Sequence, residues 1–445
     1  MIDFRKDFYA DVRIEDRFTT EVSFFNGSLK ESKERREVRA FLRVYDGKMW
    51  YYSSTTDTEH IREALDELYS VAVPDADIEK DPVVKRFEIN KDHLESFKEN
   101  SVRNIPISEK TELIRAFLPI LSSDPCMSMP MGKYLDRNSL YKFYSSLGAD
   151  ICYDYQTCGI VLFCSMVENE KKLSAMWQHG DTDFRNLRGL FAEAEDAFKE
   201  QAEFMRNSVP VEAGDYPVVL SPLAAGIFAH ESFGHKSESD FMISDESMKD
   251  EWQIGKQAGA PILTISEWGE LPGTGYTPYD DEGTRARKNY LIKDGILAGR
   301  LHSALTSAVL DEDVTGNARA VDCTFEPIVR MTTTYIEAGR DSFEQLIAPI
   351  KKGYYIKTVM HGSGMSTFTI APSVSYEIVD GKLGRPVQIS VISGNVFETL
   401  GLIDGLSDKV EMKSFVSGGC GKMEQYPLPV GFGGPYVRVS RMKVQ

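Results

Sequence analysis

The stretch SPLAAGIFAHESFGH, residues 221–235, carries two histidines five positions apart, with a glutamate directly after the first. Ser221 is a good N-cap and Pro222 suits a first helical position, so the pattern predicts a helix anchored by Leu223, Ile227 and Phe228. His230 and Glu231 match the opening of the zinc-peptidase pattern H-E-x-x-H, but the second histidine, His235, comes one residue late. The delay matters geometrically. On a helix, positions i and i+4 lie about 40° apart and positions i and i+5 about 140° apart. A regular helix therefore does not aim both imidazoles at one ion. Two remedies are open: Gly234 can break the helix or adopt the left-handed conformation just past its end, or a π-bulge can add one residue to the turn. Imidazole pairs suit Zn²⁺, which in catalytic sites usually takes three protein ligands and a water. Glu231 is then the candidate general base. Glu238 and Asp240, in KSESD (236–240), are candidates for further ligands, for groups that orient a ligand, or for solvated carboxylates.

Outward from this stretch the chain reads as α+β. Before it, ADVRIED (10–16) alternates as a strand with one buried face, and NG (26–27) and DG (46–47) are hairpin turns. The run KESKERREVR (30–39) alternates in sign and reads as a solvated strand face. Helical spacing appears over 57–73, 107–121 and 184–207, and the aromatic, β-branched stretch 141–168 reads as strands. The helix over 107–121 is expected to begin at a Ser-x-x-Thr-Glu cap. After about residue 208, strands dominate and two more DG turns follow, at 294–295 and 380–381. The expected division is an N-terminal part of antiparallel strands and helices, 1–207, and a C-terminal β-rich part, 208–445, whose frequent glycines suit the tight turns of a barrel or a twisted sheet.

Composition narrows the function. The chain has 445 residues and a formal net charge of −17, which opposes sequence-independent binding to phosphate backbones. No apolar run is long enough to span a bilayer, and the charged N-terminus lacks the apolar core of a signal peptide. The expected location is cytoplasmic, with no membrane partner. The six cysteines form no C-x-x-C pair or regular framework, which argues against a disulfide scaffold. Cys420, in SGGCGK, sits in polar, glycine-rich sequence where a buried cysteine is least expected. His361 and Tyr335 are candidates for an oxyanion stabiliser, whereas His60, His93, His179 and His302 read as surface or packing residues.

Together these elements resemble the TldD/PmbA family, and specifically its TldD-type metallopeptidase subunits. The resemblance runs through H-E-x-x-x-H (230–235), the acidic pair Glu238 and Asp240, DDEGT (280–284), G-N-x-R (316–319), P-x-x-R-M-T-x-T (327–334), C-G-K (420–422) and PVGFGGP (429–435). It implies that Cys420 is the third ligand beside His230 and His235, with one Zn²⁺ per chain, Glu231 as general base and Asp281 as a further site candidate. It also implies an N-terminal α/β domain, 1–207, a C-terminal β-rich, barrel-like domain, 208–445, carrying the metal-binding helix, and a dimer, either with itself or with a PmbA-type subunit, acting on unfolded peptides or leader peptides. The family is also described as a modulator of DNA gyrase; the acidic charge makes that link indirect. The alternative is a non-catalytic, peptide-binding scaffold subunit of such a complex.

Overall fold

The computed structural model describes residues 2–445. Its N-terminal part is one sheet ordered Trp50–Thr55, Ser28–Tyr45, Tyr9–Phe25, Met127–Ser145, Asp150–Glu168, with Lys171–Asp181 and the short Lys91–Leu94 also pairing to the last of these. Every pairing is antiparallel except that of Lys91–Leu94. Helix Ile61–Val71 lays Ile61, Leu65 and Tyr69 on Ala10, Val12, Leu42 and Val44. Helices Ile107–Phe117 and Phe191–Asn207 cover the other half of the sheet through Ile114, Phe117, Phe198 and Ala202.

Three expectations change. The helix over 107–121 has Pro106 at its N-cap position with no side-chain cap, so the Ser-Thr-Glu segment does not cap it, and it tightens to a 3₁₀ turn at Leu118–Ser122, where Pro119 cannot supply the next N–H. The helix over 184–207 begins only at Phe191, after the 3₁₀ turn Phe184–Gly189. The strand Tyr9–Phe25 has two buried faces, not one: its polar side chains Asp11, Arg13 and Glu15 are buried as well. Period-two alternation reports which face is apolar, but not whether the polar face meets water or another part of the chain.

Here the polar face meets the segment that follows the metal-motif region. Arg13 pairs with Asp281 at 2.9 Å and Arg43 with Glu282 at 3.0 Å, while Asp280 accepts the N–H groups of Glu282, Thr284 and Ala318. Gly283, at φ +76°, sits where a Cβ would lie 2.5 Å from the Phe143 ring. DDEGT is therefore the loop that seats the N-terminal sheet.

In the C-terminal part, Gly214–Leu220, Lys352–Gly364, Thr367–Val379, Ile392–Asn395 and Val437–Val444 pair in a closed five-strand ring. Closure leaves these strands no open edge. A second sheet is ordered Ile296–Leu297, Asn289–Lys293, Ile265–Glu267, Thr333–Ile336, Gly431–Gly434, Glu411–Ser414. Helix Pro222–Phe228 bridges the two. Phe228 meets Phe368 of the barrel edge-on at 5.0 Å between ring centroids. On its other side, a Cβ at Gly226 would lie 2.7 Å from the backbone of Gly433, so glycines on both elements permit the contact. PVGFGGP thus supplies the bare backbone on which this helix rests.

Candidate metal centre

Ser221 caps the helix as expected: its Oγ accepts the Ala224 N–H at 3.1 Å, with Pro222 at the first position. Of the two remedies for the five-residue spacing, the chain uses the wider turn. Ala229–Gly234 is π-helical, and the His235 N–H donates to the His230 carbonyl. A five-residue hydrogen-bonded repeat returns both histidines to one face, and their ring centroids are 5.1 Å apart. Gly234 is not left-handed; it is helical at φ −57°, ψ −52°. Its glycine serves close packing, since a Cβ there would lie 2.1 Å from Met331 Sδ. The turn is anchored by Phe228 and Phe233, both fully buried, each side chain contributing about 1.5–3 kcal/mol by burial.

Cys420 arrives from 185 residues away and places Sγ 3.4 Å from His235 Nε2. Ligand atoms of His230, His235 and Cys420 all lie within 4.8 Å of one another. Despite its polar sequence context Cys420 is buried, because its short strand Cys420–Lys422 folds back on Gln425–Leu428 and is pinned from beneath. Arg330, fully buried, donates to the Cys420 and Gln425 carbonyls at 2.9 and 3.3 Å, and Arg319 donates to the Pro429 carbonyl at 3.0 Å. The turn entering the strand requires Gly419, at φ +153°, where a Cβ would lie 2.5 Å from the Leu428 carbonyl oxygen. The arginines of the R-M-T and G-N-x-R elements therefore hold this hairpin. Sequence reasoning gave them no role; the available signal was a charge inside the apolar run PIVRM.

The electrostatics follow from burial and proximity. Burial alone would push the Cys420 thiol up, but the imidazoles of His230 and His235 hold it well below its ordinary range, favouring the thiolate that binds metal. Burial disfavours the charge on His235, but Cys420 and Glu238 outweigh it and push its pKa up to about 11. Glu231 lies on the open side: its side chain is 25% exposed, and its carboxylate is 4.0 Å from His235 Nε2. Burial pushes its carboxyl up, against the pull of His230 and His235, the direction a base working near neutrality needs. His230 Nδ1 is buried with no hydrogen-bond partner. One thiolate, two imidazoles and a buried ring nitrogen without a partner fit a bound Zn²⁺.

The other sequence candidates fall elsewhere or act at one remove. Glu238 is fully buried and faces His235 Nδ1 at 3.3 Å; Asp240 is tied to Lys422. Asp281 is not among the three donors: it holds Arg13 and accepts the Ala320 N–H at 2.7 Å. His361 is exposed on the strand Lys352–Gly364, near enough to Glu231 for its charge to favour the carboxylate, and Tyr335 is buried beside Lys288. His60 and His93 are exposed, whereas His302 is buried against Ser239, Thr306 and Glu312. Among the described residues a second donor group, Asp124, Cys126 and Glu168, has both carboxylates bound by Arg206 at 2.8 and 2.7 Å, which makes it an ion-pair cluster.

The strand Lys352–Gly364 backs the Glu231 turn closely: a Cβ at Gly364 would lie 2.6 Å from the Glu231 carbonyl oxygen and 3.1 Å from Phe368 Cβ. Neither atom has a flexible side chain to move away on. Gly364→Ala is expected to cost about 1–3 kcal/mol, seen as a lower Tm in thermal unfolding. An unchanged Tm would mean that this strand does not brace the turn.

Comparison with known proteins agrees with this architecture. Residues 213–445 match the family model of the PmbA/TldA metallopeptidase C-terminal domain, and residues 10–72 match that of PmbA/TldA metallopeptidase domain 1. A Synechocystis sp. protein named a metalloprotease is 29% identical over 98% of this chain and 94% of its own. A Saccharolobus solfataricus protein named a zinc metalloprotease TldD homolog is 35% identical over 54% of this chain and 53% of its own. The fold matches the crystal structure of TldE from Thermococcus kodakarensis with a TM-score of 0.76 at 15% identity, covering 98% of this chain and 96% of that one. The matched domains and the named relatives are those of a metallopeptidase family. The chain belongs to the PmbA/TldA metallopeptidase family, also written TldD/PmbA.

Proposed function

We propose that this chain is a zinc-dependent peptidase in which His230, His235 and Cys420 hold one Zn²⁺ per chain and Glu231 is the general base. The observation that carries this reading is the convergence of the three donors within 4.8 Å, with the Glu231 carboxylate beside them. When bound, zinc supplies polarisation of a peptide carbonyl and acidification of a water. Glu231 takes the water proton and delivers it to the leaving amine. Glu238, on Nδ1 of His235, favours the tautomer that leaves Nε2 free as a donor atom. Lys422 bridges Glu238 and Asp240 beside the site.

The substrates in this reading are unfolded or leader peptides, which can add as a strand to a sheet edge. The assembly is a homodimer or a pair with a PmbA-type subunit, a proposal supported by the family and by the fold match to TldE. The net charge of −17 keeps nucleic acid out of the scheme. No helix among the described residues is long and apolar enough to cross a membrane; the proposed location is cytoplasmic. The division at 207/208 is proposed on the same footing: the strands of the N-terminal sheet all precede it, and those of the barrel and the second sheet all follow it.

The test is hydrolysis of casein or a synthetic peptide by zinc-loaded protein. Chelation is expected to abolish it and added zinc to restore it. Hydrolysis that persists after the metal is removed, or none with zinc supplied, would overturn the proposal.

A further inference from the structure

Lys422 is a buried lysine: its side chain is 2% exposed. Its ammonium lies 2.7 Å from both oxygens of Asp240, 3.1 Å from Glu238 Oε2 and 2.7 Å from the Val329 carbonyl. Glu238 Oε2 is the same atom that faces His235 Nδ1, while Glu238 Oε1 is buried without a partner. One oxygen thus joins Lys422 to His235, and His235 Nε2 in turn faces Cys420 Sγ at 3.4 Å. Lys422 and Cys420 are also two residues apart on one short strand, both buried with Gly421 exposed between them, and the pairing with Gln425–Leu428 is irregular at this point. The strand therefore turns both side chains inward. The side that brings the thiol to the histidines also brings the ammonium to the carboxylates.

We propose that Lys422 is a positioning residue of the metal centre. Its ammonium seats Glu238 on His235 Nδ1 and locks the Cys420 strand in register against the turn that carries His230 and His235. Two routes converge on the donors. Through Glu238, Lys422 fixes the ring orientation of His235. Through Asp240 and the Val329 carbonyl, it fixes the height of the strand that presents Cys420. Cation–π contact with Phe241, at 4.4 Å from its ring centroid, confines the ammonium further. Arginine does not replace it, because a planar fork does not match three acceptor groups gathered around a point charge.

The inference rests on reading His230, His235 and Cys420 as metal donors, and its readout is zinc affinity rather than activity. Zinc Kd is measured by competition with a chromogenic chelator for wild type, Lys422→Met, Glu238→Gln and the double variant, with Tm recorded for each metal-free protein. Lys422→Met is expected to weaken zinc binding about 10–100-fold, the range typical of groups that orient a ligand. Glu238→Gln keeps its shape, leaves Lys422 paired with Asp240, and is expected to weaken binding within the same range even if Lys422→Met folds poorly. The double variant is expected to bind less weakly than the product of the single effects implies, because both act on His235. Wild-type affinity in Lys422→Met or in Glu238→Gln would overturn the proposal, as would effects that multiply independently. A lower Tm with unchanged zinc affinity would reduce Lys422 to a packing residue. If the wild type itself binds no zinc, the donor reading fails first and this inference falls with it.

Discussion

Replacing Glu231 by glutamine is expected to lower kcat/KM for peptide hydrolysis by about 10²–10⁴-fold, the contribution usual for a positioned general base, while the zinc content stays at the wild-type level. The two readouts separate because Glu231 is not among the three converging donors; its carboxylate lies beside them, 4.0 Å from His235 Nε2. Glutamine keeps the size of the side chain and loses the proton-accepting oxygen. The side chain is a quarter exposed, so the change buries no new unpaired group of consequence. Loss of both zinc and activity would make Glu231 part of the metal cage. Full activity would remove it from the mechanism.

Cys420→Ala is expected to produce the second large effect, a fall in zinc affinity of more than about 100-fold, beyond what loss of an orienting group causes. The thiolate is the only anionic donor of the three, and it faces two imidazoles in a buried site. Without it, two neutral imidazoles remain to compete with water for the ion. The variant should still fold. Arg330 grips the hairpin through the Cys420 backbone carbonyl, and that hydrogen bond does not depend on the side chain. Tm of the metal-free variant should therefore stay near that of the metal-free wild type.

Parts of this site were legible in the sequence because residue type alone carries them. His230, Glu231 and His235 announce metal chemistry, and the i+5 spacing required a distorted turn. Which distortion was not legible: a glycine just before the second histidine favours a left-handed break on local grounds. The actual reason for Gly234 is the Met331 sulfur, almost a hundred residues later in the chain. Cys420 entered through the resemblance to a family, since no spacing rule connects positions 185 residues apart. Asp281 entered the same way, through the DDEGT element of that resemblance; in the fold its partner is Arg13, on a strand whose alternation predicted that arginine to be solvated. Long-range ion pairs of this kind leave no local pattern. The fold class was easier, because hairpin turns and helical spacing are short-range; barrel closure depends on pairings such as that of Gly214–Leu220 with Val437–Val444, from opposite ends of the region.

The most direct single measurement is metal content by mass spectrometry, on wild type and Cys420→Ala purified without chelator and supplied with zinc. About one zinc per wild-type chain, and little or none in the variant, is the expected result. A wild type without metal, or a variant that retains a full complement, would contradict a centre built from His230, His235 and Cys420.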